Sequence, residues 1–327
     1  MCYDRVNQCG KTAHQINPKN ELYPFHFTCL TALRKDFITM NNYVLFTDSS
    51  CDISPEVLKE WGVCFKSLYL HFEGESTLYT NYDISSEDFY KRMRGGEVAK
   101  TSAVNTEDFA AGFEEILREG KDVLYIGLSS GISTTFNSAR LAANQLKETY
   151  PDRKIIVIDS LAASAGVGLI VYLTAKKMAE GVTIEEAAAY AEDLKWKTSI
   201  WFTVDDLVYL KRGGRVSAAA AFFGNMLGIK PVLHMDNEGH LVPVLKVRGR
   251  KTAVDTLAKK YEELAKDLKT STIFISHAEC EADALRLKAI FEEKHGAKVE
   301  VITGIGPVIG AHAGPGTLAL FFVGKER

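Results

Sequence analysis

Four short polar clusters carry most of the chemistry this chain could perform. They are Thr47-Asp48-Ser49-Ser50, Lys100-Thr101-Ser102, Ser129-Ser130-Gly131-Ile132-Ser133-Thr134 and His312-Ala313-Gly314-Pro315-Gly316. Each sits beside an apolar run with strand character, and ligands in open α/β sheets gather where strands end. Together they offer hydroxyls, backbone N–H groups and one imidazole, with few acids. That inventory suits the grip of a carboxylate or a phosphate. Taken singly, each cluster reads more simply as helix capping by Ser or Thr. Their convergence is what carries the ligand reading.

The third cluster also fits a competing template. Gly127-Leu128-Ser129-Ser130-Gly131 is G-x-S-x-G between a strand and a helix, the pattern of a nucleophile elbow, and Asp159 followed by His277 or His312 keeps the required chain order. The alternative function is therefore a serine hydrolase of lipid esters using Ser129. No second donor loop of the HGGG type accompanies it. Gly304-Ile305-Gly306-Pro307-Val308-Ile309-Gly310 misses the dinucleotide spacing by one residue and is not followed by a strand with an acidic ribose ligand. Asp205-Asp206 are adjacent, so their side chains diverge on a helix, and they lack a neighbouring His or paired acid. Neither a cofactor nor a metal site is expected, and an Asp of that pair reads as a helix N-cap.

The stretch FTVDDLVYLKRGGRVSAAAA, residues 202–221, joins Lys211, Arg212 and Arg215 through Gly213-Gly214 to a purely apolar run. A glycine pair lets the backbone take positive φ and come close to something. Such a join of charge and grease suits an amphiphile. The competing reading is a tight turn whose arginines cap carbonyls while the alanines pack a domain interface.

The chain from Tyr43 shows the run YVLFTD, then a helix opened by Pro55 and closed at Gly62. Further strands are predicted at 123–128 (VLYIGL), 154–160 (KIIVIDS), 199–204 (SIWFTV) and 272–277 (TIFISH). The first two are continuous apolar runs suited to a parallel sheet covered on both faces. A helix starts at Asn105-Thr106 with Glu107 and Asp108 in its first turn, and another carries the capping box Thr183-x-x-Glu186. After about Lys197, IKPVLHM and HLVPVLKV flank Asp-Asn-Glu-Gly, a hairpin signal. The fold class is α/β: a parallel α/β N-terminal lobe over 42–198 and an α+β C-terminal lobe over 199–324.

The 327 residues fit two lobes, each large enough for its own core. A net charge of -3 supplies no basic field for nucleic acid. No apolar run approaches a membrane span, and the first 40 residues lack the order of a secretion signal, so a cytoplasmic location is expected. Cys2, Cys9, Cys29, Cys51, Cys64 and Cys280 have neither zinc nor disulfide-scaffold spacing and read as free thiols. Residues 1–41 hold three of the cysteines and no sustained period; they are expected to be a disordered N-terminal extension, with Met40 as the natural beginning.

From Asn41 to Gly324 the chain resembles the DegV family, which includes the fatty-acid-binding subunits of bacterial fatty acid kinase. The matching blocks are FTDSSCDI, KTS at 100–102, SSGIS at 129–133, VIDS at 157–160, FTVDDLVYLKRGGRVS, GIKPVL, KVRGRK at 246–251 and GIGPVIGAHAGPGTLAL. The resemblance implies a two-domain, DegV-like fold around a long-chain fatty acid such as palmitate, with the acyl chain in an apolar tunnel. It implies no catalysis by this chain itself; a partner, the fatty acid kinase subunit, would phosphorylate the presented carboxylate. It implies transient membrane contact at most. Carried over by position, Thr101, Ser102, Ser129, Ser130, His312 and Arg212 hold the carboxylate. Ala219, Phe222, Phe223, Met226, Leu227 and Ile229 are the candidates to line the acyl chain. Two departures fall at the pocket rim: Ala103-Val104 where the family commonly has Gln-Pro, and Thr134-Thr135-Phe136 where it commonly has Gly-Thr-Tyr.

Overall fold

In a computed structural model the structure describes residues 41–216 and 228–327. The extension expected over 1–41, Asn41 excepted, and the lining candidates Ala219, Phe222, Phe223, Met226 and Leu227 lie outside the described residues. The N-terminal lobe runs β1 (Tyr43–Asp48), α1 (Pro55–Glu60), β2 (Val63–Lys66), β3 (Tyr69–Phe72), β4 (Tyr79–Thr80), α2 (Ser86–Arg94), β5 (Ala99–Ser102), α3 (Thr106–Arg118), β6 (Asp122–Gly127), α4 (Thr135–Thr149), β7 (Ile155–Asp159), α5 (Ala165–Met178) and α6 (Ile184–Lys195). The C-terminal lobe follows with β8 (Thr198–Thr203), α7 (Val208–Gly213), β9 (Ile229–Met235), β10 (Leu241–Arg248), α8 (Arg250–Leu264), β11 (Ile273–His277), α9 (Glu281–His295), β12 (Val299–Gly304), α10 (Pro307–Ala313) and β13 (Leu318–Val323).

Three sheets organise these elements. The first is four-stranded and parallel in the order β2-β1-β6-β7, the second six-stranded in the order β10-β9-β8-β13-β11-β12, and the third three-stranded, β4-β3-β5. In the six-stranded sheet only β11 and β12 pair in parallel. The apolar runs of β6 and β7 thus form the parallel sheet their composition predicts, whereas SIWFTV and TIFISH build the mixed sheet of the second lobe. The hairpin around Asp236–Gly239 forms as its turn residues predict, with Gly239 at φ 75. So does the capping box at Thr183 and Glu186, and the Asn105 side chain caps Asp108 N–H at 2.7 Å. The N-cap of α7 is Leu207 and not an aspartate: the Asp206 carboxylate accepts from Val208 N–H one residue ahead of the cap, while Asp205 pairs with Lys230. Two features lie outside the sequence reading. The three-stranded antiparallel sheet is built from strands too short for a period to register, and the Gly-rich segment after β12 turns into helix α10 from Pro307, capped by Gly306.

α5 is the joint of the molecule. Eleven of its fourteen residues are buried, and a helix that is apolar all round belongs inside rather than on a surface. Gly166 brings it so close to the second sheet that a Cβ there would lie 2.8 Å from Phe321. One continuous core accordingly runs from Leu124 and Ile126 of the first sheet through Leu169 and Ile170 to Ile200, Phe202 and Phe321 of the second. The two lobes differ in sheet and in chain order but share their packing.

Candidate functional site

Between the lobes lies a cavity of about 460 Å³, within the range of small-molecule sites. Its polar rim takes Thr101 from the end of β5, Ser130 to Thr134 from the β6–α4 loop, Gly214 and Arg215 from the turn after α7, and His312 from α10. Its wall is apolar. In β8 and β13, alternation sends Ile200, Phe202, Ala319 and Phe321 toward the cavity and shared core, and Trp201, Leu318, Leu320 and Phe322 to the opposite core. Met235 and Leu241 extend the wall along the hairpin, and Leu68, Ile305, Val308 and Ile309 close it from the other side.

Three of the four polar clusters therefore meet at one place. Thr101 Oγ1 and His312 Nε2 are 2.7 Å apart. His312 Nδ1 is buried without a partner among the described residues, against Gly213, where a Cβ would sit 2.2 Å from that nitrogen. Burial, and then the charge of Arg215, lower the imidazole to a pKa of about 4, so it is neutral at ordinary pH. A buried N–H without an acceptor is rarer than a bare acceptor, which puts the proton on Nε2. Thr101 then accepts from His312 and keeps its own hydroxyl hydrogen for a ligand oxygen. Arg215 donates to Ile132 O at 3.2 Å and to Gly213 O at 2.5 Å, tying the Ser130 loop to the turn that backs His312. The Ser130 amide donates to Asp159 at 3.2 Å, while its hydroxyl takes no partner among the described residues.

The remaining candidates lie elsewhere. Ser102 is exposed and absent from the lining. Arg212 is also exposed, its guanidinium 5.8 Å from the Tyr209 ring centroid, and Arg215 occupies the cavity edge instead. Ile229 is half-buried at the start of β9, opposite Arg248, outside the lining. Ser129 is fully buried; its hydroxyl donates to Gly239 O at 2.9 Å and accepts from Gly131 N–H. No imidazole is among its partners in the described residues, and Asp159 spends its carboxylate on the Ser130 and Leu161 amides rather than on a histidine. The nucleophile-elbow geometry is thus absent. The first cluster is internal too: Asp48 accepts from Tyr125 at 2.6 Å and from Leu128 N–H at 3.0 Å, and Thr47 donates to Ile126 O. Among the described residues no cluster of His, Cys, Asp and Glu could hold a metal ion, and no helix is long and apolar enough to cross a membrane.

Fold and site together define a two-lobed α/β protein whose apolar interlobe cavity ends in hydroxyls and a neutral imidazole, with Arg215 at its edge. The DegV family profile matches residues 42–325, and the chain belongs to the DegV family. It is 37% identical over 289 residues to a DegV domain-containing protein of Clostridium perfringens, covering 88% of this chain and 99% of that one. Among solved structures it is similar to a DegV family protein from Thermus thermophilus described by its fatty acid binding, at 30% identity and a TM-score of 0.79, covering 86% of this chain and 99% of that one. It is also similar to DegV of Bacillus subtilis, described as a fatty acid binding protein, at 30% identity and a TM-score of 0.75, covering 88% and 100%.

Proposed function

We propose that this protein binds one long-chain fatty acid, with its carboxylate at Thr101, Ser130 and His312 and its acyl chain along the apolar wall, and presents the headgroup to a separate kinase. One observation carries the reading: the apolar cavity ends at an exposed serine hydroxyl and a neutral hydroxyl–imidazole pair. Neutral donors hold a carboxylate at a lower desolvation cost than a buried ion pair would demand. Arg215 at the cavity edge adds a positive charge without being buried opposite the ligand. Each buried methylene contributes about 0.8 kcal/mol, so a palmitoyl tail supplies on the order of 11 kcal/mol before association costs of several kcal/mol. Micromolar or tighter affinity follows. The descriptions of the Thermus and Bacillus relatives as fatty acid binders support the ligand class.

Presentation to a kinase rests on Ser130, which is exposed at the rim, so that a bound carboxylate lies near solvent rather than sealed inside. A carrier of this kind performs no chemistry on its cargo. Native mass spectrometry of the purified protein should show a long-chain fatty acid bound one to one. Thr101→Ala and His312→Ala should each weaken palmitate binding by about 1–3 kcal/mol in calorimetric titration. A protein that neither co-purifies with nor takes up palmitate would refute the reading.

A further inference from the structure

Behind the cavity wall, and outside the headgroup cluster, a buried carboxylate joins the two lobes. Asp52 is 5% exposed and ends the turn after β1. Its Oδ2 accepts from the Ser164 hydroxyl at 2.6 Å, and its Oδ1 accepts from the Gly306 amide at 3.0 Å. Its backbone carbonyl accepts from Thr303 at 2.7 Å. Ser164 lines the cavity and bonds in turn to Ser276 of β11 at 3.0 Å. Gly306 caps α10, the helix that carries His312. Asp52 is therefore gripped by the N-terminal lobe's cavity wall on one side and by the root of the His312 helix on the other.

The backbone at both ends of this contact is held where side chains rarely sit. Asp52 has φ 52, and Ser164 has φ 53 with ψ -146. Such positions cost free energy and persist where surrounding structure demands them. Among the described residues no cation pairs with Asp52. The titratable groups around it are Asp48 at the end of β1, Cys51 in the same turn, Tyr82 before α2 and Tyr90 on α2, whose hydroxyl donates to Ile305 O. None supplies positive charge, and desolvation raises the Asp52 carboxyl to about 7.

We infer that Asp52 is a positioning residue for the headgroup site: as a carboxylate it holds the Ser164 hydroxyl and the Gly306 amide together, fixing His312 against Thr101, and fatty acid affinity follows its charge state. This rests on the fatty acid reading above. The ionised form accepts from both donors and from the Asn81 side chain beside Gly306, and hydrogen bonds to a charged acceptor are the stronger kind. Protonation gives one oxygen a hydrogen to place and weakens one of the two anchors. Repulsion between this charge and a bound carboxylate acts in the opposite sense. It falls off with distance over the ~9 Å of helix between Gly306 and His312.

Two measurements on the full chain test this. Palmitate affinity of the native protein should fall by about fivefold from about pH 8 to about pH 6, beyond the change shown by Asp52→Asn, whose neutral side chain has no charge to lose. In the ligand-free protein the Gly306 amide resonance should titrate with a midpoint near the Asp52 value, and that step should vanish in Asp52→Asn. Parallel affinity profiles for the two proteins, or tighter binding to the native protein on acidification, overturn the proposal. A silent Gly306 resonance overturns it without any ligand. Failure of the native protein to bind palmitate at every pH strikes the fatty acid reading instead, and the amide titration still decides the role of Asp52.

Discussion

His312 sits in an environment far from that of a free imidazole in water. With a folded pKa of about 4 against an ordinary 6.5, it stays neutral in the fold while the unfolded chain takes up a proton. The contribution of this group to stability is therefore present above the ordinary value and is lost as pH falls from 6.5 toward 4. By pH 5 that loss amounts to about 2 kcal/mol. His312→Gln, which cannot ionise, should show a shallower loss of melting temperature between pH 7 and pH 5 than the native protein; equal slopes would mean that the imidazole is better solvated than its packing implies. The burial that makes the group acid-sensitive is also what keeps it a neutral donor at pH 7. A charged imidazole in the same place would need a buried counter-ion.

At the scale of elements, the site depends on how closely α7 and its turn approach α10. Gly213 makes that approach possible, since a methyl group there would collide with the imidazole. Gly213→Ala should cost about 1–3 kcal/mol of stability by urea unfolding and lower palmitate affinity as strongly as removal of His312. Undiminished affinity would separate the turn from the headgroup. This gives the Gly213-Gly214 pair a physical purpose that the sequence signalled only in part. A close approach was legible; its partner, nearly a hundred residues away, was not.

For the whole molecule, the question is whether two lobes behave as two domains. Length and the change of strand pattern argue for separate cores, yet α5 packs on both sheets and Ile200, Phe202 and Phe321 belong to the same core as Leu124 and Ile126. Unfolding should therefore be a single cooperative transition, with calorimetric and van't Hoff enthalpies in agreement. Two resolved heat-absorption peaks would show that the shared core is too weak to couple the lobes. Surface ties such as the Arg94–Glu279 pair add little to that coupling.

Local rules read well from the amino acids: the Asn105 cap, the Thr183–Glu186 box, the Asp236–Gly239 turn and the buried strands β6 and β7 each depend on neighbours within a few positions. The types of group at the headgroup site were legible for the same reason, since Thr101, Ser130 and His312 sit in short polar clusters beside apolar runs. Which clusters would converge was not. Thr47 to Ser50 and Ser129 look equivalent to the others along the chain, and only the packing turns them inward to Ile126, Tyr125 and Gly239 while Ser130 is left at the rim. Likewise Arg212 and Arg215 stand three positions apart with the same chemistry, and the turn after α7 leaves the first in solvent and puts the second at the cavity edge. The cavity wall leaves no mark in the sequence because a residue facing a void and a residue facing a core obey the same alternation. Hydrophobicity and period are properties of the chain, whereas a void is a property of two surfaces that fail to meet, and that was settled by how the lobes close around α5.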